Sequence, residues 1–124
     1  MSAILIVEDN EKNMKLARDV LQAKGYATLE ALTGEDGVRL AIEHLPDVVL
    51  MDIHLPGIDG FEAFRQIRAN PGTAAIPVVA FTASVTANDR HRITAAGFDA
   101  FIGKPINLKE FLDTVQRMAA GRTS

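Results

Sequence analysis

Val48-Val49-Leu50-Met51-Asp52 is a run of apolar residues that stops abruptly on an acid. Apolar residues in direct succession, without polar alternation, are what a strand covered on both faces requires. Ala3–Val7 repeats the pattern and stops on Glu8-Asp9, and Val78–Phe81 repeats it and stops on Thr82. Two further short runs, Ala27–Ala31 and Ala100–Ile102, complete a set of five predicted strands.

Helical patterns lie between and after these runs. Met14, Ala17, Val20 and Leu21 give the first helix an apolar stripe, and Gly25 ends it. Val38, Ala41, Ile42 and Leu45 mark a second stripe; Leu108, Phe111, Leu112, Val115 and Met118 mark the last. Asn107 with Glu110 three residues later forms a capping-box pattern at the final helix, with Asn in place of Ser or Thr. The helix before Gly97 has a polar stretch from Asn88 to Arg92, and only Ile93, Ala95 and Ala96 offer it a core face. So little buried area predicts an element that shifts easily.

Strict alternation of strand and helix predicts a doubly wound α/β fold of five parallel strands with five helices on both faces; in the order 2-1-3-4-5, one of the common orders of such folds, the first and third strands are neighbours. The 124 residues suit one domain, with 121–124 expected as a frayed tail. A net charge of −3 disfavours nucleic acid or an anionic membrane as the partner. There is no cysteine, which excludes thiol nucleophiles, thiolate metal sites and disulfides. Ala3–Val7 is too short for a signal-peptide core, and no run approaches the ~18 apolar residues of a membrane span. A cytoplasmic location is the resulting expectation.

The chemistry gathers where ligands bind in open α/β sheets, outside the carboxyl ends of the strands at the point where strand order reverses. Glu8 and Asp9 follow the first strand, Asp52 the third and Thr82 the fourth, while Lys104-Pro105 comes after the fifth. Each alone has an ordinary explanation: a turn former, an acid at a helix start, a β-branched strand residue, a loop lysine. Together they put three carboxylates, a hydroxyl and an ammonium on one edge. Crowded acids repel, and an oxygen-only set without His or Cys ligands favours Mg²⁺ over zinc.

These residues stand in segments that resemble the receiver domains of bacterial response regulators. The matching stretches are Ile4–Asn10, Pro46–Asp52, Leu55-Pro56 with Asp59-Gly60, Ile76–Ala80 with Thr82-Ala83, and Lys104-Pro105. They span nearly the whole chain, and the wording around Glu8–Leu16 and Lys104-Pro105-Ile106 is similar to DivK-type single-domain regulators. The resemblance implies a flavodoxin-like fold and a phosphorylatable switch in a two-component system or phosphorelay. Asp52 would accept the phosphoryl group from a histidine kinase or histidine phosphotransfer protein. Asp9, Asp52 and the backbone carbonyl of His54 would bind Mg²⁺, with Glu8 acting through a metal-bound water.

Lys104 and Thr82 would contact the phosphoryl oxygens. Phe101 would be the aromatic switch partner of Thr82, His54 and Ser84 would tune the lifetime of the phosphate, and Pro105 would follow a cis peptide. A downstream protein would read the fourth helix, fifth strand and fifth helix. A Mg²⁺-dependent phosphatase using Asp52 as nucleophile is the main alternative, but it calls for a second acid where the chain has His54 and for a substrate-holding cap. A nucleotide or flavin module is disfavoured by the absence of G-x-G-x-x-G and Walker motifs, and a DNA-binding regulator by the lack of a second domain in these 124 residues.

Overall fold

The computed structural model describes residues 2–83 and 86–123, the side chains only as far as residue 120. Strands β1 (Ala3–Val7), β2 (Ala27–Ala31), β3 (Val48–Met51), β4 (Val78–Thr82) and β5 (Ala100–Gly103) form one parallel sheet in the order β2-β1-β3-β4-β5. Helices α1 (Glu11–Ala23), α2 (Gly34–His44), α3 (Gly60–Ala69), α4 (Ala87–Ala96) and α5 (Leu108–Thr123) alternate with them. The fourth and fifth strands each run one residue beyond the expectation, so Thr82 is the last residue of β4 and Gly103 the last of β5. No described helix is long and apolar enough to cross a membrane.

Side chains alternate across the pleat, so the central strands β1, β3 and β4 each feed cores on both faces. Ile4, Ile6, Val48, Leu50, Val79 and Phe81 meet Met14, Ala17 and Leu21 of α1 and Phe111, Val115 and Ala119 of α5. On the other face Leu5, Val7, Val49 and Met51 meet Val38 and Ala41 of α2 and Ala63, Phe64 and Ile67 of α3. All four residues of β3 are fully buried, as the central strand of a two-faced sheet requires.

The second helix corrects the sequence reading. Ile42 and Leu45 are exposed, and Leu45 is the C-cap in a left-handed conformation rather than a member of the helix. Val38 and Ala41 are buried as expected, and Gly34 and Gly37 complete the buried face. A Cβ at Gly37 would lie 2.8 Å from Val7 Cγ2, so missing side chains bring this helix down onto the sheet. Leu108 is likewise exposed, and Ala95 and Ala96 point to solvent, leaving Ile93 as the buried residue of α4. Asn107 does cap the last helix, accepting from the Glu110 N–H at 3.1 Å.

The loop from Asp52 to α3 is fixed by a close backbone approach. Asp59 caps α3 by accepting from the Glu62 N–H, and the Gly60 N–H donates to the Ile53 carbonyl at 3.1 Å. A Cβ on Gly60 would stand 2.3 Å from the Asp52 carbonyl oxygen and 2.5 Å from Ile53 Cα. Both are backbone atoms and cannot turn aside. Gly60→Ala is therefore expected to lower unfolding free energy by about 1–3 kcal/mol, whereas Gly72→Ala, which meets only a side-chain oxygen, stays within about 0.5 kcal/mol. Denaturant melts of the two variants check this, and equal midpoints would remove the backbone argument.

Candidate functional site

Register and chain direction bring the chemical residues together. Val7 pairs with Met51, so Glu8 and Asp52 leave neighbouring strands side by side. Their backbones stay tied to the sheet: the Asp52 N–H donates to Val7 and the Glu8 N–H to Ala31, each at 3.0 Å. Thr82 pairs with Gly103, and the Lys104 N–H continues the ladder by donating to the Thr82 carbonyl at 3.0 Å. The next peptide, Lys104–Pro105, is cis.

Glu8, Asp9 and Asp52 each offer an oxygen within 4.8 Å of the others. Asp9 is exposed, whereas Glu8 is fully buried and Asp52 only 5% exposed. Lys104 Nζ lies between the two buried acids, donating to Asp52 Oδ2 at 2.9 Å and in close contact with Glu8 Oε1. Its other side faces the Phe81 ring, with Nζ 4.8 Å from the centroid. Asp52 Oδ1 accepts from the His54 N–H at 2.9 Å, and Glu8 Oε2 from the Asn10 N–H at 3.0 Å. Thr82 is completely buried.

Burial pushes the Glu8 carboxyl above its ordinary range. The hydrogen bonds from Lys104 and the Asn10 N–H oppose that rise, and the negative charge of Asp52 adds to it. One ammonium faces three carboxylates, which leaves the edge with an excess of negative charge. The donor set is oxygen throughout and fits a hard divalent cation such as Mg²⁺, which would neutralise what Lys104 cannot.

Phe101 stands apart from this cluster. It is half-buried on β5 opposite Ala80, packs on Ile53, Ala80 and Ile93, and carries the Arg90 guanidinium 5.5 Å from its ring centroid. The His54 ring is exposed, and Ser84 lies outside the described residues. Sequence reasoning missed two supporting residues. Asn10, which steadies Glu8, was legible as an Asn just before a helix; Phe81, which backs Lys104, gave no sign beyond its place in a core strand.

The model of the response regulator receiver domain matches residues 4–116. The chain belongs to that family. Among curated relatives, the polar-differentiation response regulator DivK of Brucella ovis is 42% identical over 114 residues, covering 92% of this chain and 93% of that protein. Among solved structures, the receiver domain of the sensor histidine kinase PA1611 from Pseudomonas aeruginosa superposes with a TM-score of 0.90 at 34% identity, covering 96% of this chain and 98% of that one. That structure holds a magnesium ion coordinated in its active-site cleft. The chemotaxis protein CheY4 of Vibrio cholerae superposes with a TM-score of 0.88 at 25% identity, covering 95% and 98%. The doubly wound fold expected from the alternation of elements, and the receiver family implied by the resemblance, are thus both observed, and the acidic cluster stands where receiver domains bind Mg²⁺.

The raised Glu8 pKa has a measurable sign. A carboxyl with a higher pKa in the folded state binds more protons there, so folding loses stability as pH rises from the unfolded value of 4.5 through the folded one. Without metal, Glu8→Gln is therefore expected to be more stable than the native chain by a margin that grows over that window and narrows again when Mg²⁺ is added. Thermal melts across pH, with and without Mg²⁺, test it; a margin independent of pH would contradict the burial cost.

Proposed function

We propose that this chain is a single-domain response regulator that accepts a phosphoryl group on Asp52 in a Mg²⁺-dependent reaction and signals by changing protein partners. The observation that carries the reading is the charge arrangement around Asp52. It is a nearly buried carboxylate with an ammonium on one oxygen, a backbone N–H on the other and two further acids within reach of a shared cation.

Asp52 acts as nucleophile: a carboxylate oxygen forms the new bond to phosphorus, and the bond from phosphorus to the donor's imidazole nitrogen or acyl oxygen breaks with its electron pair. Asp9, Asp52 and the His54 backbone carbonyl would hold Mg²⁺, with Glu8 contributing at second remove. When bound, the metal supplies charge neutralisation at the phosphoryl oxygens. Lys104 leaves the acids to face those oxygens as a point charge, and the Thr82 hydroxyl donates to them. The peptide N–H of His54 keeps Asp52 oriented, while buried Phe81 shields Lys104 from water. The work is positioning and charge balance, which few residues can supply.

The donor is a histidine kinase or a histidine phosphotransfer protein, the partners with which receiver domains operate. The signal then passes from Thr82 to Phe101 and the surface of α4, β5 and α5. Here α4 is the element held least, with Ile93 as its buried residue. His54 and Ser84 tune how long the phosphate survives. The cytoplasm is where such a switch meets its kinase.

With Mg²⁺ and acetyl phosphate the native chain is expected to take up one hydroxylamine-labile phosphate. Asp52→Asn should take up none while keeping its far-UV spectrum, and Asp9→Asn should need at least about tenfold more Mg²⁺, having lost one charged ligand. Radiolabel incorporation and intact mass report both. Full labelling of Asp52→Asn would refute the assignment, and continuous phosphate release would point to a turnover enzyme.

A further inference from the structure

A second feature lies away from the acidic edge, between α3 and α4. Phe61, Phe64 and Phe98 form one aromatic group there: Phe64 and Phe98 stack with centroids 4.2 Å apart, and Phe61 meets Phe98 edge-on at 5.8 Å. Beside them α4 ends in Ala96 and its C-cap Gly97, which have almost no side chain to cover the rings. A cavity of about 460 Å³ is left at the surface. That volume accommodates one large apolar side chain with room for its neighbours.

The rim is cationic in a chain whose net charge is −3. Arg65 and Arg68 line the cavity, and the Arg92 guanidinium lies 4.4 Å from the Phe61 centroid. The three are not equivalent. Arg68 is fixed by Asp99 at 2.5 Å and the Ile76 carbonyl at 2.6 Å, and lies over Phe64 at 4.8 Å, so it serves as wall. Arg65 is exposed and held by both oxygens of Glu62 on its own helix, at 2.9 and 2.5 Å, a solvent-screened pair in which a partner's carboxylate can take the place of Glu62. Among the described residues no carboxylate pairs with Arg92. Arg65, at the cavity, has its carboxylate partner on its own helix, and exposed Arg92 lies on the Phe61 ring; guanidiniums beside an unfilled aromatic cavity are enriched at interface hot spots.

We propose that the groove between α3 and α4 docks an acidic segment of a partner protein, with one large apolar side chain in the aromatic cavity and carboxylates on Arg65 and Arg92. The charge of the rim selects an acidic segment over a basic or neutral one, and the cavity selects a segment carrying an aromatic or large aliphatic residue. The groove is separate from the face of α4, β5 and α5 assigned above to the output. Phe61 and Phe98 also pack against the small cluster of Ile53, Ala80 and Ile93, whose Ile53 follows Asp52 in the chain.

The test uses the full chain and a fluorescein-labelled peptide of about a dozen residues, glutamate and serine around one central tryptophan, with a glutamine-for-glutamate analogue as control. Anisotropy is expected to show saturable binding of the acidic peptide and at least about tenfold weaker binding of the analogue. The paired change Arg65→Gln with Arg92→Gln removes the rim charge, and Ala96→Trp fills the cavity with the charges intact. Each alters exposed positions and is expected to weaken the acidic peptide by about tenfold or more while leaving the melting temperature unchanged. No saturable binding, equal binding of the analogue, or undiminished binding by both variants would overturn the proposal. Should either variant fail to fold, the comparison of the two peptides on the native chain decides alone.

Discussion

The structure is organised around a charge problem at the carboxyl edge of the sheet. Parallel register places Glu8 and Asp52 at the ends of adjacent strands, both out of water, and Lys104 from β5 is the cation set between them. Two like unit charges about 4 Å apart repel by about 4 kcal/mol at an effective dielectric of about 20, a large share of the 5–15 kcal/mol that holds a typical domain together. One ammonium cannot satisfy two buried acids and a third at the surface. The metal-free chain is left with unspent attraction for cationic or phosphoryl groups, the latter through Lys104. A site tuned in this way needs no pocket of its own; it needs strands that hold three carboxylates where they would not otherwise stay.

Much of this was legible in the sequence because two signals coincided. Uninterrupted apolar runs fixed the strands, and the residues that stopped those runs were acids, a threonine and a lysine. What stayed hidden depended on contacts distant in sequence. Nothing local showed that Lys104 would reach Glu8, 96 positions away, or lie over Phe81. The face of α2 was misread because periodicity counts apolar side chains, whereas this helix packs through Gly34 and Gly37. Ile42 and Leu45 satisfied the pattern and are exposed. The same error favoured Ala95 and Ala96 on α4; the small side chain of Ala96 leaves the aromatic groove open.

The weakness of α4 follows from the same accounting. One buried isoleucine anchors it in a cluster with Ile53 and Ala80, against which Phe61, Phe98 and Phe101 pack. Ile53 adjoins Asp52, so a change at the acid reaches this small cluster directly. Small clusters with little buried area respond to modest free energies, of the ~1–3 kcal/mol size typical of coupling between sites. The large cores on either side of the sheet have no such freedom. Rigidity where the acids are held and compliance where α4 is anchored are what a switch of this kind requires.

The central claim is that Lys104 is a shared counter-ion that changes partner when Asp52 is modified. A crystal structure of the chain with Mg²⁺ and beryllofluoride tests it most directly. The account predicts beryllium bonded to an Asp52 oxygen, a metal touching Asp52 and Asp9, and Lys104 Nζ on a fluorine with its contact to Glu8 broken. Beryllofluoride on another carboxylate, or Lys104 still seated between Glu8 and an unmodified Asp52, would contradict it.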